Sequence, residues 1–378
     1  MKSVIRDFIP MAVPVLGKKE LKYASEAIRS GWISGVGRYV TEFEESFSHY
    51  CGVKYGVAVT SGTAALHLAL ASIGVGPGDE VILPPVTHIA CANMITLTGA
   101  RPVLVDCDPK TWCIDPTKIE EKITPRTKAI MVVHLYGHPA DMDPIMEIAN
   151  KYGLFVIEDA AEAHGAEYKG RKAGSLGHVG CFSFYANKII TTGEGGMLVT
   201  NNPKIAEKAR KLRDQAYEKE RRFWHRELGF NYRMTNVQAA IGLAQMERID
   251  EFVNIRRRNA RLFNELLANI PGITLPPEAK WAKNVYWMYS ILVEDEFGMS
   301  RDELMAFLRS HGIDSRPFFY PIHLQPLYEP QFKGEKYPVA EELSRKGINL
   351  PSGNELTEEE VRYIADIIRL ASKRRGER

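Results

Sequence analysis

The sequence has few cysteines, and their number and spacing exclude the usual disulfide and metal frameworks. The five cysteines are odd in number, and none belongs to a C-x-x-C pair or to a Cys/His group with metal-ligand spacing. They are Cys51, Cys91, Cys107, Cys113 and Cys181. This pattern predicts reduced thiols, mostly small core residues, in a cytoplasmic protein that binds no metal.

An excess of charge of one sign is also missing. Forty-nine basic residues stand against 47 acidic ones, which leaves a formal net charge of +2. This balance creates no field that favours nucleic acid or an anionic membrane. We therefore expect small-molecule partners, with any anionic ligand held at a local site.

Long hydrophobic runs, internal repeats and low-complexity tracts are absent as well. The N-terminal segment MKSVIRDFIPMAVPV has no run long enough for the apolar region of a signal peptide. No later segment has the length needed to span a bilayer. These absences predict a chain that stays in the cytoplasm.

The composition is that of a globular protein with enough length for two domains. Hydrophobic residues make up 45% and charged residues 25% of the 378 residues. A single hydrophobic core usually stops growing below this length. We therefore expect one large domain and one smaller domain.

Short apolar runs alternate with stretches of helical periodicity between about residues 55 and 200, which is typical of an α/β domain. Several runs are apolar throughout, as expected for a sheet covered by helices on both faces. In such sheets ligands gather at the carboxyl ends of the strands. We predict seven strands, with the sequences YGVAVT, EVILP, PVLVD, AIMVVHL, LFVIED, GCFSFY and GGMLVT.

Residues 235–270 carry apolar positions at helical spacing, with no proline before Pro271. They predict one long or slightly broken helix that links a large domain, residues 1–245, to a small α+β domain, residues 246–378. In the small domain, VYWMYSILVE predicts a strand, RDELMAFLRSHG a helix with a glycine stop, and EEEVRYIADIIRLASKRR a terminal amphipathic helix.

Three segments combine residues that carry chemistry. The first is SGTAALHLAL, in which the Ser61-Gly62-Thr63 turn follows a strand and opens a helix. Such a turn directs free backbone N–H groups and the positive end of a helix dipole at an anion. The alternative is a simple N-cap, because serine and threonine are common caps.

The second segment is LFVIEDAAEAHGA, where an apolar strand ends in Glu158 and Asp159 at the expected ligand edge of the sheet. A carboxylate at Asp159 could keep a pyridine nitrogen protonated, so that the ring withdraws electrons from a reacting carbon. The alternative role of Asp159 is to cap a helix or a turn.

The third segment is CFSFYANKIITTGEGGMLVT, where Lys188 lies between two apolar strands and precedes a glycine-rich turn. An ordinary lysine has a pKa of about 10.4, so a lysine that forms a Schiff base needs desolvation or cationic neighbours. Ser183 could supply a hydroxyl to a phosphate. The alternative for Lys188 is a solvent-directed side chain at a strand end. Together, the three segments supply the phosphate, ring-nitrogen and Schiff-base contacts that pyridoxal phosphate needs.

At these segments the sequence resembles the DegT/DnrJ/EryC1/StrS family of sugar aminotransferases over nearly the whole chain. The segments that carry the resemblance are GWISGVGRYVTEFE, SGTAALHLAL, EVILPPVTHIACAN, HLYGHPADMD, IEDAAEAHGA, NKIITTGEGGM, GFNYRMTNVQAAIGLAQ and RPFFYPIHLQPLY. The resemblance implies a fold-type I dimer with a seven-stranded sheet and a cofactor site near the subunit interface.

The resemblance also implies roles for particular residues. Gly62, Thr63 and Ser183 would bind the cofactor phosphate, Asp159 the pyridine nitrogen, and Lys188 the cofactor aldehyde. Glu162 would lie near the ring hydroxyl, and Asn231 would reach the phosphate of the neighbouring subunit's cofactor, although a turn residue is the alternative. His88 would stack on the cofactor, but it departs from the family, where Phe or Tyr is usual. Candidate substrate contacts are Trp32, Ser34, Glu194 and His323, with loop packing as the alternative for His323.

By resemblance, glutamate donates the amino group to a nucleotide-linked keto sugar, with GDP-4-keto-6-deoxymannose as the expected acceptor. UDP- or dTDP-linked sugars are alternatives. The family also contains dehydratases, of which the GDP-sugar 3-dehydratase has histidine at the lysine position, so Lys188 favours amino transfer. A non-catalytic regulatory protein is a further alternative. The basic cluster KERRFWHRE, residues 219–227, could meet the substrate pyrophosphate or form a solvated loop.

Overall fold

Helices and strands alternate along the chain in this computed structural model, which describes residues 6–218, 220–221 and 223–373. The helices are α1 (Lys18–Arg29), α2 (Arg38–Cys51), α3 (Gly62–Ser72), α4 (Ala90–Leu97), α5 (Met142–Tyr152), α6 (Pro203–Arg213), α7 (Asn236–Met246), α8 (Ile249–Leu267), α9 (Arg301–Ser310), α10 (Pro338–Lys346) and α11 (Glu358–Lys373). The strands are β1 (Tyr55–Val59), β2 (Glu80–Leu83), β3 (Arg101–Leu104), β4 (Thr127–Val133), β5 (Phe155–Asp159), β6 (Glu167–Tyr168), β7 (Arg171–Lys172), β8 (Val179–Ser183), β9 (Gly196–Thr200), β10 (Ile273–Thr274), β11 (Ala282–Lys283), β12 (Tyr289–Val293), β13 (Arg316–Pro317) and β14 (Gly347–Leu350).

The central sheet has seven strands in the order β1-β9-β8-β5-β4-β2-β3. Strands β3, β2, β4, β5 and β8 pair in parallel, whereas β9 is antiparallel to both of its neighbours, β8 and β1. Each of the seven runs predicted from the sequence contributes one strand. The predicted seven-stranded α/β fold is therefore confirmed.

Both faces of the central sheet are covered. Every residue of β2 and β9 is buried, as continuous apolarity predicts for a strand between two helical layers. Helix α2 packs against β1 and β9, and α3 packs against β8 and β9. The apolar sequence of α3 suits this position, because most of the helix is buried.

The strand ends that matter for function lie at one edge of this sheet. Strand β5 ends at Asp159 and the parallel strand β8 ends at Ser183, with Asp159 paired to Cys181. Helix α3 begins at Gly62, directly after β1 and its capping residue Ser61. The topology therefore brings the three sequence segments to the same edge.

A second, antiparallel sheet has the order β10-β12-β14-β13, and its core is separate from that of the central sheet. Helices α8 and α9 pack on α11 beside it. Phe252 near the start of α8 belongs to the first core, whereas Phe263 belongs to the second. Helix α8 thus joins the two cores, and the boundary between residues 245 and 246 stays a prediction.

The helix predicted over residues 235–270 is divided in two. Helix α7 ends at Met246 and α8 begins at Ile249, with Arg248 between them outside helical geometry (φ −121°, ψ 7°). Helix α7 packs on α1 and α2, whereas α8 packs on α11. The two helices therefore pack against different parts of the fold. Among the described residues, no helix has the length and apolarity needed to cross a membrane.

Candidate active site

A cavity of about 670 Å³ opens at the edge of the central sheet where β5 and β8 end. It is bordered by these strand ends, by the first turn of α3 and by segments from the C-terminal part of the chain. Eight of the residues predicted from the sequence line it. They are Gly62, Thr63, His88, Asp159, Glu162, Ser183, Lys188 and Glu194.

The first turn of α3 and the end of β8 form one wall of this cavity. The hydroxyl of Ser61 accepts a hydrogen bond from the Ala64 amide at 3.1 Å, so Ser61 does act as an N-cap. The amides of Gly62 and Thr63 have no intrahelical acceptor and are available to an anion. A Cβ at residue 62 would come within 2.7 Å of the Ser183 Cβ. Glycine thus allows the helix end to approach Ser183.

The carboxylate of Asp159 is held by two donors. Its Oδ2 accepts a hydrogen bond from the Cys91 thiol at 2.9 Å, and its Oδ1 accepts one from the Ala161 amide at 3.1 Å. Burial raises the pKa of Cys91 well above its usual value, so the thiol keeps its proton and donates. Asp159 is therefore a fixed, buried carboxylate, suited to a cationic group in the cavity.

Lys188 follows β8 and directs its amine between a carboxylate and an aromatic ring. Its Nζ lies 3.9 Å from Oε1 of Glu162 and 3.5 Å from the ring centroid of Trp287. The side chain is only 11% exposed. Burial lowers the pKa of Lys188, although the charges of Glu162 and Asp159 oppose this shift. A lowered pKa increases the fraction of free amine, which is the nucleophilic form.

Glu162 is tied to the C-terminal part of the chain through Tyr136. Its Oε2 accepts a hydrogen bond from the Tyr136 amide at 2.8 Å, and the Tyr136 hydroxyl accepts one from the Phe319 amide at 3.0 Å. Tyr136 adopts a left-handed backbone conformation, with φ of 53°. Burial raises the pKa of Glu162 to about 7, against the opposite effect of Lys188. The carboxyl group of Glu162 therefore binds a proton more readily than it would in water.

His88 lies at the cavity with its ring edge-on to Phe319, at 5.8 Å between centroids. Its Nδ1 accepts a hydrogen bond from the Ala90 amide at 3.2 Å. Burial lowers the pKa of His88, which favours the neutral ring. Glu194 also borders the cavity, and its backbone carbonyl accepts hydrogen bonds from Thr192 and Gln238.

Three predicted residues lie on the surface away from this cavity. Trp32 is 61% exposed and borders a separate cavity, and the carbonyl of the exposed Ser34 accepts a hydrogen bond from the Asn236 amide at 2.6 Å. Asn231 is exposed and forms a backbone bridge with Asp214. None of the three lines the cavity within one chain, so their roles stay predictions.

His323 also lies outside the cavity. Its Nε2 is 3.1 Å from Oε1 of Glu341, and its ring packs on Tyr337 at 4.8 Å between centroids. Only 4% of the residue is exposed. The loop-packing alternative describes this position, and the predicted sugar contact of His323 gains no support from it.

Trp287, Tyr136 and Arg316 border the cavity without having been singled out as site residues by the sequence. Trp287 lies in VYWMYSILVE, but strand β12 begins only at Tyr289, which leaves Trp287 free to cover Lys188. Tyr136 and Arg316 lie in two of the motif segments. The position of Tyr136 depends on a positive φ, and the positions of Tyr136 and Arg316 depend on contacts between distant segments. Sequence spacing reveals neither.

Within the basic cluster, residues 220–221 and 223–227 are described, and none of them contributes to the cavity lining. Lys219 and Arg222 lie outside the described residues. In the part that is described, the Arg221 guanidinium lies 4.1 Å from the ring centroid of Trp224, and 77% of the Arg226 side chain is exposed. A contact of this cluster with a pyrophosphate stays a prediction.

Comparison with known proteins gives full-length matches. The chain is 50% identical to GDP-perosamine synthase of Caulobacter vibrioides, over 94% of this chain and 96% of that protein. It is 45% identical to GDP-perosamine synthase of Escherichia coli O157:H7, over 96% and 98%. Spr1654 from Streptococcus pneumoniae, solved in a PLP form and a PMP form, superimposes with a TM-score of 0.91 and 29% identity, over 97% of this chain and 98–99% of that one.

The comparison with protein families agrees with these pairwise matches. Residues 14–369 match the family description over most of the chain, including every segment that borders the cavity. With the central sheet, the buried lysine and the carboxylate at the end of β5 in place, this chain belongs to the DegT/DnrJ/EryC1/StrS aminotransferase family.

Proposed function

We propose that this chain is a pyridoxal-phosphate-dependent aminotransferase that moves the amino group of L-glutamate onto a nucleotide-linked 4-keto-6-deoxy sugar. The proposed acceptor is GDP-4-keto-6-deoxymannose and the proposed product is GDP-perosamine. Membership of the aminotransferase family supports the reaction class, and two relatives named GDP-perosamine synthase support the substrate. The observation that carries the proposal is Lys188, buried beside Asp159 and Glu162 in a cavity that the first turn of α3 also borders.

The cavity residues fit pyridoxal phosphate at each of its functional groups. The amides of Gly62 and Thr63 and the hydroxyl of Ser183 suit a phosphate group, and the close approach of Gly62 to Ser183 brings these donors together. The fixed carboxylate of Asp159 suits a protonated ring nitrogen. The amine of Lys188 suits the aldehyde carbon. A relative solved in both PLP and PMP forms supports the same cofactor.

When bound, pyridoxal phosphate supplies an aldehyde carbon that bonds to amines and a pyridinium ring that withdraws electrons. Asp159 would stabilise the proton on the ring nitrogen. Lys188 Nζ would move a proton from the substrate carbon to the cofactor carbon in the first half reaction, and from the cofactor carbon to the substrate carbon in the second. Glu162, whose pKa is raised by burial, would lie beside the Lys188 amine. Positioned acid–base work of this kind contributes about 10²- to 10⁴-fold in rate.

The remaining predicted contacts belong to the same proposal. The neutral imidazole of His88 would stack on the cofactor ring, and Asn231 would reach the cofactor phosphate of a second subunit. Trp32, Ser34, Glu194 and His323 are proposed substrate contacts. Of these four, Glu194 has the most direct support, because it borders the cavity.

Arg316 at the cavity offers a site for the anionic groups of the substrates. Its Nη1 donates to Oδ1 of Asp314 at 2.5 Å and to the Ser315 carbonyl at 3.0 Å. None of the described residues accepts a hydrogen bond from its Nε or Nη2. This free edge of the guanidinium suits two parallel hydrogen bonds to a carboxylate or a phosphate. A glutamate carboxylate and the sugar pyrophosphate both present such a group.

A homodimer is part of the proposal. Trp32, Ile33 and Val36 form an apolar surface on the single chain, with exposed fractions of 61%, 53% and 61%. A second copy that covered this surface would remove it from water and could bring Asn231 to the partner's site. All five cysteines are free and buried, which supports the expectation of a reducing, cytoplasmic environment.

The choice of sugar nucleotide can be tested directly. The purified enzyme is given glutamate with GDP-, UDP- and dTDP-linked 4-keto-6-deoxy sugars in turn, and release of 2-oxoglutarate is followed. We expect turnover with the GDP-linked sugar only. Activity confined to a UDP- or dTDP-linked sugar would contradict the proposed acceptor, and elimination of a sugar hydroxyl without 2-oxoglutarate would indicate a dehydratase. A protein that shows no visible cofactor band, even with added pyridoxal phosphate, would indicate a non-catalytic role.

A further inference from the structure

Arg256 in α8 is a buried cation that donates hydrogen bonds to an amide oxygen and a backbone carbonyl rather than to a carboxylate. It is 3% exposed, and burial lowers its pKa while the charge of Glu355 raises it. Its Nε donates to Oδ1 of Asn354, and its Nη1 donates to the carbonyl of Trp287, each at 2.6 Å. Burial of a cation costs several kcal/mol unless hydrogen bonds and a counter-charge compensate. Its presence here therefore calls for a specific role.

The two acceptors of Arg256 in turn hold the backbone on either side of Lys188. Nε1 of Trp287 donates to the carbonyl of Asn187 at 3.0 Å, and Nδ2 of Asn354 donates to the carbonyl of Ile189 at 2.9 Å. One guanidinium therefore bonds to the partners of two carbonyls, those of the residues on either side of Lys188.

Trp287 contributes a second contact to the same lysine. Its ring centroid lies 3.5 Å from the Lys188 amine. Because the Trp287 carbonyl is fixed by Arg256 and the Trp287 indole by Asn187, the ring is held over the amine from both ends. A change at Arg256 would therefore reach Lys188 through the ring as well as through the backbone.

Arg256 also acts on Lys188 through its charge. Burial lowers the pKa of Lys188, the carboxylates of Glu162 and Asp159 raise it, and the guanidinium of Arg256 lowers it. Burial lowers the pKa of Arg256 itself to about 10, so it stays charged at neutral pH. The titratable and charged groups that face Lys188 are Glu162, Asp159, Arg256, His88 and His164.

We propose that Arg256 is a positioning residue that fixes the segment 187–189 and the ring of Trp287 around Lys188, so that the lysine amine is held in place for capture of the cofactor. This inference rests on the proposed function. It assigns a task to a residue of the linking helix that lies outside the cavity lining.

The experiment compares cofactor capture by four variants with the unaltered protein. Arg256→Met removes the charge and the hydrogen bonds, Arg256→Lys keeps the charge, and Asn354→Ala keeps the charge but removes the contact to Ile189. Arg258→Gln is the matched control, because Arg258 lies on the same helix with about half of its side chain exposed. Each cofactor-free protein is mixed with pyridoxal phosphate, and the capture rate and the pH midpoint of the visible band are measured, with circular dichroism as the check on folding.

Loss of a cation near Lys188 favours its protonated form. We expect Arg256→Met to move the pH midpoint upward and, through the loss of both backbone contacts, to slow capture at pH 7 by about tenfold. Arg256→Lys should keep the midpoint near that of the unaltered protein. Asn354→Ala should slow capture without moving the midpoint, and Arg258→Gln should change neither.

A folded Arg256→Met protein with the midpoint and capture rate of the Arg258→Gln control would overturn the inference. If Arg256→Met does not fold, Asn354→Ala decides, and unchanged capture in that variant would overturn it. Absence of a visible band from the unaltered protein would instead contradict the proposed function. The two failures are therefore distinguishable.

Discussion

The amine of Lys188 lies 3.9 Å from Oε1 of Glu162, and the two groups are buried together at the cavity. Burial lowers the pKa of the lysine and raises that of the carboxyl group to about 7. The neutral forms of both groups are thus more populated at neutral pH than they are in water. Each group's charge opposes the shift of the other, so a change at one of them alters the pKa of its neighbour.

Glu162→Gln should shift the pH dependence of the cofactor band to lower pH. Removal of the carboxylate takes away the main charge that favours protonated Lys188, so the pKa of the lysine should fall further. Cofactor-free protein is mixed with pyridoxal phosphate at a series of pH values, and the absorbance of the visible band measures the shift. Glu329→Gln, an exposed carboxylate, serves as the control, and an unchanged midpoint in Glu162→Gln would show that the pair is not coupled.

Lys188→Ala should abolish transamination while the fold persists, because it removes both the attachment point of the cofactor and the proton carrier. Release of 2-oxoglutarate from glutamate measures the loss, and circular dichroism checks the fold. Lys204→Ala changes an exposed lysine of α6 and should behave like the unaltered enzyme. Undiminished turnover in Lys188→Ala would refute the proposed mechanism.

Asp159→Asn should reduce turnover more than it weakens cofactor binding. An amide is neutral and cannot stabilise a protonated ring nitrogen, so the ring would withdraw electrons less well, with a loss of about 10²- to 10⁴-fold in kcat. The hydrogen bond from the Ala161 amide can persist to the amide oxygen. Measurement of kcat beside the dissociation constant of pyridoxal phosphate separates the two effects. Equal losses in both would indicate a structural role for Asp159.

Arg316→Gln should raise KM for at least one substrate by about ten- to a hundredfold, because a charge-assisted hydrogen-bonded pair contributes about 1.5–3 kcal/mol. Arg309→Gln is a matched control, since Arg309 also lies near Asp314, at 3.8 Å, but does not line the cavity. Separate KM values for glutamate and for the sugar nucleotide identify which anionic group Arg316 contacts. Unchanged values for both would remove Arg316 from the site.

The proposed role of Asn231 across a dimer interface predicts complementation. In a hybrid dimer of Lys188→Ala and Asn231→Ala chains, one site would carry both changes and the other would carry neither. Co-expression of the two variants should therefore restore about a quarter of the unaltered turnover if the chains mix at random.

The matching control is each variant expressed alone, which should be nearly inactive. Light scattering establishes whether the chain forms a dimer. A lack of recovered activity in an isolated hybrid dimer would indicate that Asn231 acts within its own chain or does not act at the site.

The sequence was sufficient to predict the seven strands of the central sheet and the edge at which ligands gather. Apolar runs such as LFVIED indicate burial directly, and the acidic residues at the end of that run indicate where the strand leaves the core. The sequence segments around Asp159, Ser183 and Lys188 were therefore sufficient to predict these residues as site residues. Family resemblance added Glu162, which borders the cavity, and the amino-transfer chemistry.

The tertiary structure decided which distant segments meet. It decided that the helix predicted over residues 235–270 is the broken alternative, with the break at Arg248. It also engaged His323 with Glu341 instead of the cavity, and it brought Trp287 over Lys188. It also buried Arg256 behind that tryptophan. Periodicity encodes whether a residue is buried, but not which residue from another part of the chain it contacts. Strand order and the packing of α8 against both cores determine those contacts, and with them the environment that shifts the pKa of Lys188.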